Sequence, residues 1–232
     1  MISWDQIEVI TFDCYGTLVD WESGILAALA PFLEGAGVKI TDDEILHTFA
    51  RLESAAQEGI YAPYRHVLGR VMRGLAAEHG FTLEPDAWGM LAESVEDWPV
   101  FPDTVAALDR LRARYPLGVL SNIDDDLFAA TLARLPGGFR WVVTAEEVVS
   151  YKPNARHFTF AEQRIGVPRE RWLHVAQSLY HDIAPAKRFG LPTVWVNRRR
   201  GRDGFGATPP AAAVPDLEVA SLAELADRAG VS

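Results

Sequence analysis

Five short apolar runs rich in β-branched residues, "IEVITF", "PLGVLSN", "WVVTA", "WLHVAQS" and "PTVWVN", set the main constraint on how this chain can fold. Each is long enough for one strand. Their near-continuous apolar character is what a parallel strand needs when it is covered on both faces. From about residue 100 onward they alternate with stretches of helical spacing such as "PDTVAALDRLRARY" and "NARHFTFAEQRIG". That alternation predicts an α/β fold, a doubly wound, Rossmann-like parallel sheet.

The segment after the first run breaks the pattern. "ESGILAALAPFLEGAG", "TDDEILHTFARLESAAQEG", "YRHVLGRVMRGLAAEHG" and "EPDAWGMLAESVEDW" carry apolar residues at helical spacing with Gly and Pro between them, and no strand signal. Thr41 followed by Glu44 has the form of a capping box, and Gly80 is placed to stop the third helix. The expectation is an inserted helical cap domain over 21–98 and a core domain made of 1–20 and 99–232. Ligands of open α/β sheets bind outside the carboxyl ends of the strands, where such an insertion can act as a lid. "RRRGRDGFGATPP" lacks the GK[ST] ending of a phosphate-binding loop and reads as a surface connection.

The 232 residues are 49% hydrophobic and 23% charged, which is enough to bury a core. A formal net charge of −10 repels nucleic acid and anionic membrane surfaces. No run approaches the roughly 20 apolar residues of a membrane span, and "MISWDQIEVI" has no cationic leader, so a cytoplasmic location is the default expectation. A single cysteine, Cys14, excludes an internal disulfide and a thiolate metal cluster, and its position just past a buried run suits packing.

Polar residues of unusual type gather at the ends of four runs: Asp13 and Thr17, Ser121 and Asn122, Lys152, then Gln177, Ser178 and Asp182. Asp, Ser and Asn also cap helices, but four such ends converging on one sheet edge describe a site. "FDCYGTL", "LSN", "YKPNARHF" and "VAQSLYHDIAPAKRFGLPTVWVNR", in this order and spacing, resemble the haloacid dehalogenase superfamily along essentially the whole chain. The resemblance implies a nucleophilic aspartate at Asp13.

Most members of that superfamily resemble magnesium-dependent phosphatases, with a second aspartate two residues after the nucleophile and an acidic residue in the fourth motif. This chain has Tyr15 and Gln177 at those places. A phosphate ester leaves as a poor alkoxide that must be protonated, and its negative charge must be screened from an attacking carboxylate. Halide leaves without a proton. "DCYGTL" is therefore more similar to the 2-haloacid dehalogenase branch, which uses no metal or other cofactor. There the aspartate displaces halide from the α-carbon of a small anionic 2-haloalkanoate, fluoroacetate among the candidates, and water hydrolyses the ester. Two alternatives stand beside it: a magnesium-dependent phosphatase, and an idle binding protein on the same scaffold.

By the same resemblance Lys152 pairs with Asp13 and keeps it ionised, Asp182 orients the lysine or assists water, and Ser178 contacts lysine or water. Thr17, Ser121 and Asn122 hold nucleophile and substrate, although turn and cap chemistry accounts for them equally. Tyr15, His181 and its neighbour Tyr180 are candidates for substrate contacts, with packing as the plainer role for the last two. Arg51 is the candidate cap arginine for the substrate anion, Arg65 the second, against solvated helix-face roles for both. Trp21 either walls the pocket or packs in the core. Phe158 stands where the dehalogenase pattern has a tyrosine. A homodimer is implied only by the resemblance.

Overall fold

The computed structural model describes residues 2–231. The sheet is built from β1 (Val9–Phe12), β2 (Leu117–Ser121), β3 (Phe139–Thr144), β4 (Trp172–Ala176), β5 (Thr193–Val196) and β6 (Leu217–Val219). All pair in parallel in the order β3-β2-β1-β4-β5-β6. The first five coincide with the five apolar runs. The sixth is a three-residue edge strand, too short to show a period and short in the way edge strands are kept from pairing outward.

Between β1 and β2 lie α1 (Trp21–Gly35), α2 (Asp42–Ala56), α3 (Tyr64–His79), the short α4 (Met90–Glu93) and then α5 (Thr104–Arg112). The capping box is formed: Thr41 Oγ1 accepts from the Glu44 backbone, and Glu44 accepts from the Thr41 backbone. Gly80, left-handed at φ 72°, closes α3. The expected fourth helix is instead broken into 3₁₀ turns on either side of α4. Trp88 in its first turn presses onto Gly69 of α3, where a Cβ would stand 2.2 Å from the indole.

Helices α6 (Asp125–Leu132), α7 (Ala145–Val148), α8 (Arg156–Ile165), α9 (Ala184–Phe189) and α10 (Leu222–Arg228) complete the chain. One sheet face, with Ile10, Phe12, Val119 and Val175, packs against α5, α6, α10 and the helices after β1; the other, with Val9, Leu120 and Trp172, packs against α7, α8 and α9. The chain runs outward from β1 through β2 to β3, then returns to β4 on the other side of β1. That reversal places a crevice at the carboxyl ends of β1 and β4, where this kind of sheet binds ligands. Among the described residues no helix is long and apolar enough to cross a membrane.

Candidate active site

β1 ends at Phe12, and the Asp13 backbone N–H still donates to Val175 O at 3.0 Å, so the carboxylate leaves the sheet from a fixed point. Gly16 then turns the chain at φ 93°, a left-handed conformation that suits glycine; a Cβ there would stand 2.9 Å from Gln177 Oε1. The turn brings Thr17 back over the nucleophile. Its hydroxyl donates to Asp13 Oδ2 at 2.8 Å and accepts the Gln177 backbone N–H at 2.9 Å.

Lys152 is 1% exposed, and its three ammonium protons have three acceptors: Asp13 Oδ1 at 2.9 Å, Asp182 Oδ1 at 2.7 Å and Leu120 O at 2.8 Å. Asn122 holds the lysine backbone from both sides, accepting its N–H at 2.7 Å and donating to its carbonyl at 3.0 Å. Burial works against the lysine's charge, but the two carboxylates outweigh it and raise its pKa. Burial likewise pushes Asp182 up, and Lys152 with His174 reverses this and holds it at about 2. Asp13 is raised from its ordinary value, burial being the largest cause and Asp182 adding to it, while Lys152 and Thr17 pull it down. Both bonds to Asp13 come from donors to a carboxylate, and a protonated Lys152 keeps that carboxylate charged.

A buried relay lies behind Asp182. Trp172 Nε1–H donates to Thr11 Oγ1 at 2.7 Å, Thr11 lies 2.9 Å from His174 Nδ1, and His174 Nε2 lies 2.9 Å from Asp182 Oδ1. A carboxylate only accepts, so a histidine proton on Nε2 faces Asp182. Phe158, fully buried, stacks edge-on against this histidine at 5.2 Å and packs beneath the site. Neither His174 nor Thr11 is distinguishable from strand interior by pattern alone.

The groups meet around a cavity of about 30 Å³ lined by Asp13, Tyr15, Trp21, Glu53, Tyr64, Ser121, Asn122, Lys152, Ser178, His181 and Asp182. Its size suits a couple of waters or a two-carbon ligand. Of the residues predicted from sequence, Asp13, Lys152, Asp182, Ser121, Asn122, Ser178, His181, Tyr15 and Trp21 all line it, and Thr17 lies directly behind it.

Several roles need correction. Arg51 does not reach the cavity: its side chain, 57% exposed, forms a two-point ion pair with Glu78 on the outer face of the helical insertion. Arg65 pairs with Asp124 and Asp126. The insertion presents Glu53 instead, 2% exposed. The Tyr15 hydroxyl turns away to Thr131 at 2.8 Å, leaving only its ring for the cavity. Ser178 does not touch Lys152; it accepts the His181 backbone N–H at 2.9 Å and meets His181 Nδ1 at 3.2 Å. Assigned as the donor to Nδ1, the Ser178 hydroxyl sets the His181 proton on Nε2, and burial holds the imidazole at about 4 and hence neutral. Tyr180 lies in a wider cleft beside Lys152 rather than in the cavity.

In this chain the cation between Asp13 and Asp182 is the Lys152 ammonium, and Gln177 does not line the cavity.

A model of haloacid dehalogenase-like hydrolases matches residues 7–190. The chain is 30% identical to the (S)-2-haloacid dehalogenase H-109 of Pseudomonas putida, over 95% of this chain and 97% of the relative. Its fold superposes on L-2-haloacid dehalogenase from Xanthobacter autotrophicus with a TM-score of 0.76, 21% identity and coverage of 95% of this chain and 97% of the other. A putative hydrolase of the same superfamily from Bacillus subtilis, solved with magnesium, superposes with a TM-score of 0.79 and 20% identity over 97% and 99%. Fold similarity thus spans a dehalogenase and a magnesium-bound hydrolase, and the family follows from the sequence matches together with the aspartate, serine, lysine and aspartate brought to one cavity: the chain is a hydrolase and belongs to the haloacid dehalogenase-like family.

Proposed function

We propose that this hydrolase cleaves the carbon–halogen bond of a small 2-haloalkanoate, haloacetates included, through an ester on Asp13, with residues 21–98 acting as the cap. One observation carries the proposal: a buried carboxylate held by Thr17 and Lys152 faces a cavity of about 30 Å³ in which the position two residues on supplies no acid. Such a site has a nucleophile but lacks the proton donor at position 15 that alkoxide departure from phosphorus would use. Displacement at carbon needs no such donor.

An Asp13 oxygen attacks the α-carbon as the carbon–halogen bond breaks and its electron pair leaves with the halide. The fixed carboxylate and the near-absence of bulk water raise its nucleophilicity. Ser121 Oγ and His181 Nε2, both buried and without partners, are the donors available to the substrate carboxylate. Water then adds to the aspartyl carbonyl carbon. Asp182 Oδ2, likewise unpartnered, accepts its proton; the proton passes to the departing hydroxy acid, and the aspartate is regenerated with release of the proton from its new carboxyl group.

The test is halide release from chloroacetate, 2-chloropropionate and fluoroacetate in chelator-treated buffer, followed by the Asp13→Asn variant. Halide release by the wild type, its loss in the variant and a transient mass gain on the Asp13 peptide are the expected results. Brisk magnesium-dependent hydrolysis of phosphate esters with no halide release would replace this reading with the phosphatase one.

A further inference from the structure

Four buried polar atoms on residues lining the cavity have no hydrogen-bond partner: Ser121 Oγ, His181 Nε2, Asp182 Oδ2 and Glu53 Oε2. The first three have tasks in the reaction above. Glu53 has none, and leaving a carboxyl oxygen buried without a partner is costly. It comes from α2, where Ile45, Leu46, Phe49 and Ala50 form the buried stripe and Glu53 occupies the next core-facing position. Its Oε1 accepts from Gln57 one turn on, which orients the carboxyl group and leaves Oε2 free.

In-line displacement puts the leaving group on the side of the carbon away from the nucleophile. Asp13 rises from the sheet, and the opposite wall is the cap, which contributes Trp21, Glu53 and Tyr64. Among the described residues no arginine lines the cavity, and Arg51 and Arg65 are paired elsewhere. We propose that Glu53, as a neutral acid, is the group that receives the departing halide, its Oε2–H donating to the halogen as the bond to carbon breaks. This rests on the dehalogenase reading. No proton changes hands in the step: the electron pair leaves with the halide, which is a weaker base than this carboxylate and accepts only a hydrogen bond.

The state of the acid fits. Burial raises Glu53 to about 8, with the nearby Tyr64 hydroxyl and the Gln57 bond pulling the other way, so the acid form dominates at neutral pH. The titratable groups facing it are Tyr64 on α3, Tyr151 before Lys152 and likewise pushed up by burial, Tyr15 and Asp13 after β1, Lys152, and His181 with Asp182 after β4. Tyr64 and Tyr15 are pushed well above their ordinary value by burial, Lys152 is raised, His181 sits at about 4 and Asp182 at about 2. Asp13 is also raised from its ordinary value by burial, though Lys152 and Thr17 bind its charged form; Glu53 is a group placed to change charge near pH 8.

The experiment compares turnover of bromoacetate, chloroacetate and fluoroacetate by wild type, Glu53→Gln and Glu53→Leu as a function of pH, with circular dichroism confirming that each is folded. Wild-type kcat should fall as pH rises through about 8, where ionisation removes the donor and sets a like charge beside the halide. Glu53→Gln, a weaker donor but one at every pH, should stay more active than Glu53→Leu and lose that alkaline fall. Glu53→Leu should lose kcat unevenly, about tenfold more for fluoroacetate than for bromoacetate, because the most basic halide gains most from a donor. An alkaline fall that survives in Glu53→Gln, or an equal loss for all three halides in Glu53→Leu, overturns the assignment of Glu53 alone. A folded wild type that releases no halide from any of them overturns the dehalogenase reading, and this inference with it.

Discussion

Lys152 Nζ lies 2.9 Å from the carboxylate of Asp13, a residue 139 positions earlier in the chain, and 2.7 Å from Asp182. Each carboxylate alone would be a buried unpaired charge, and together they would repel. The shared ammonium makes both tolerable, so nucleophile, charge balance and local fold depend on one side chain.

Replacing Lys152 by Met should therefore destabilise the protein by about 3–5 kcal/mol as well as abolish turnover. Arginine should not rescue activity, because a planar fork cannot direct donors to Asp13, Asp182 and Leu120 O as an ammonium does. Urea unfolding and halide release measure the two effects. A Lys152→Met protein as stable as wild type would show that the carboxylates are solvated in a way the buried geometry does not allow.

His174→Phe tests the relay behind Asp182. The ring shape is kept, but the Nε2–H to Asp182 is lost, a charge-assisted bond worth roughly 1.5–3 kcal/mol. Turnover should drop about 10–100-fold. The acidic limb of the pH–rate profile should also shift upward, since His174 is one of the groups that hold Asp182 at about 2 against burial. A drop in rate with no shift of that limb would reduce His174 to packing.

Much of this was legible in the sequence, for identifiable reasons. Asp13 can be read because a carboxylate closing an apolar run contradicts the run's own burial logic, whereas Ser121, Lys152 and Asp182 become legible through the resemblance of the motifs that contain them. The helical insertion is less legible. Arg51 carries the charge an anionic substrate calls for but falls off the Ile45, Leu46, Phe49, Ala50 stripe, whereas Glu53 falls on it. A glutamate in register with core positions was the available signal, and the expectation of a cation for an anionic substrate hid it. The Tyr15 hydroxyl's turn toward Thr131 and the threonine–histidine relay depend on contacts between distant segments, which local spacing does not encode.

Acid should unfold this protein in a window set partly by His157. Burial, and then the charge of Lys152, lowers this histidine from 6.5 to about 3. The native state keeps it neutral while the unfolded chain takes up a proton below 6.5, so the unfolded state binds more protons and stability falls as pH drops from 6.5 toward 3. At about 1.4 kcal/mol per pH unit the full loss is several kcal/mol. His157→Leu should flatten much of this slope, with His181 leaving a smaller one that ends near 4. Melting temperature against pH for both proteins measures it, and parallel curves would show that His157 is not the titrating group.

Glu53 should act on stability with the opposite sign. Its folded pKa is raised from 4.5 to about 8, so the native state holds a proton that the unfolded chain releases above 4.5. The native state then binds more protons, and stability declines as pH climbs from 4.5 to about 8. Glu53→Gln removes this linkage while keeping shape and a donor. The variant should match wild type near pH 4.5 and become progressively more stable above it, the gap reaching about 3–5 kcal/mol by pH 8 as an upper range. Denaturant midpoints at several pH values give the difference directly. A gap independent of pH would mean that Glu53 is ionised in the folded protein throughout, and the neutral donor proposed for the halide would not exist.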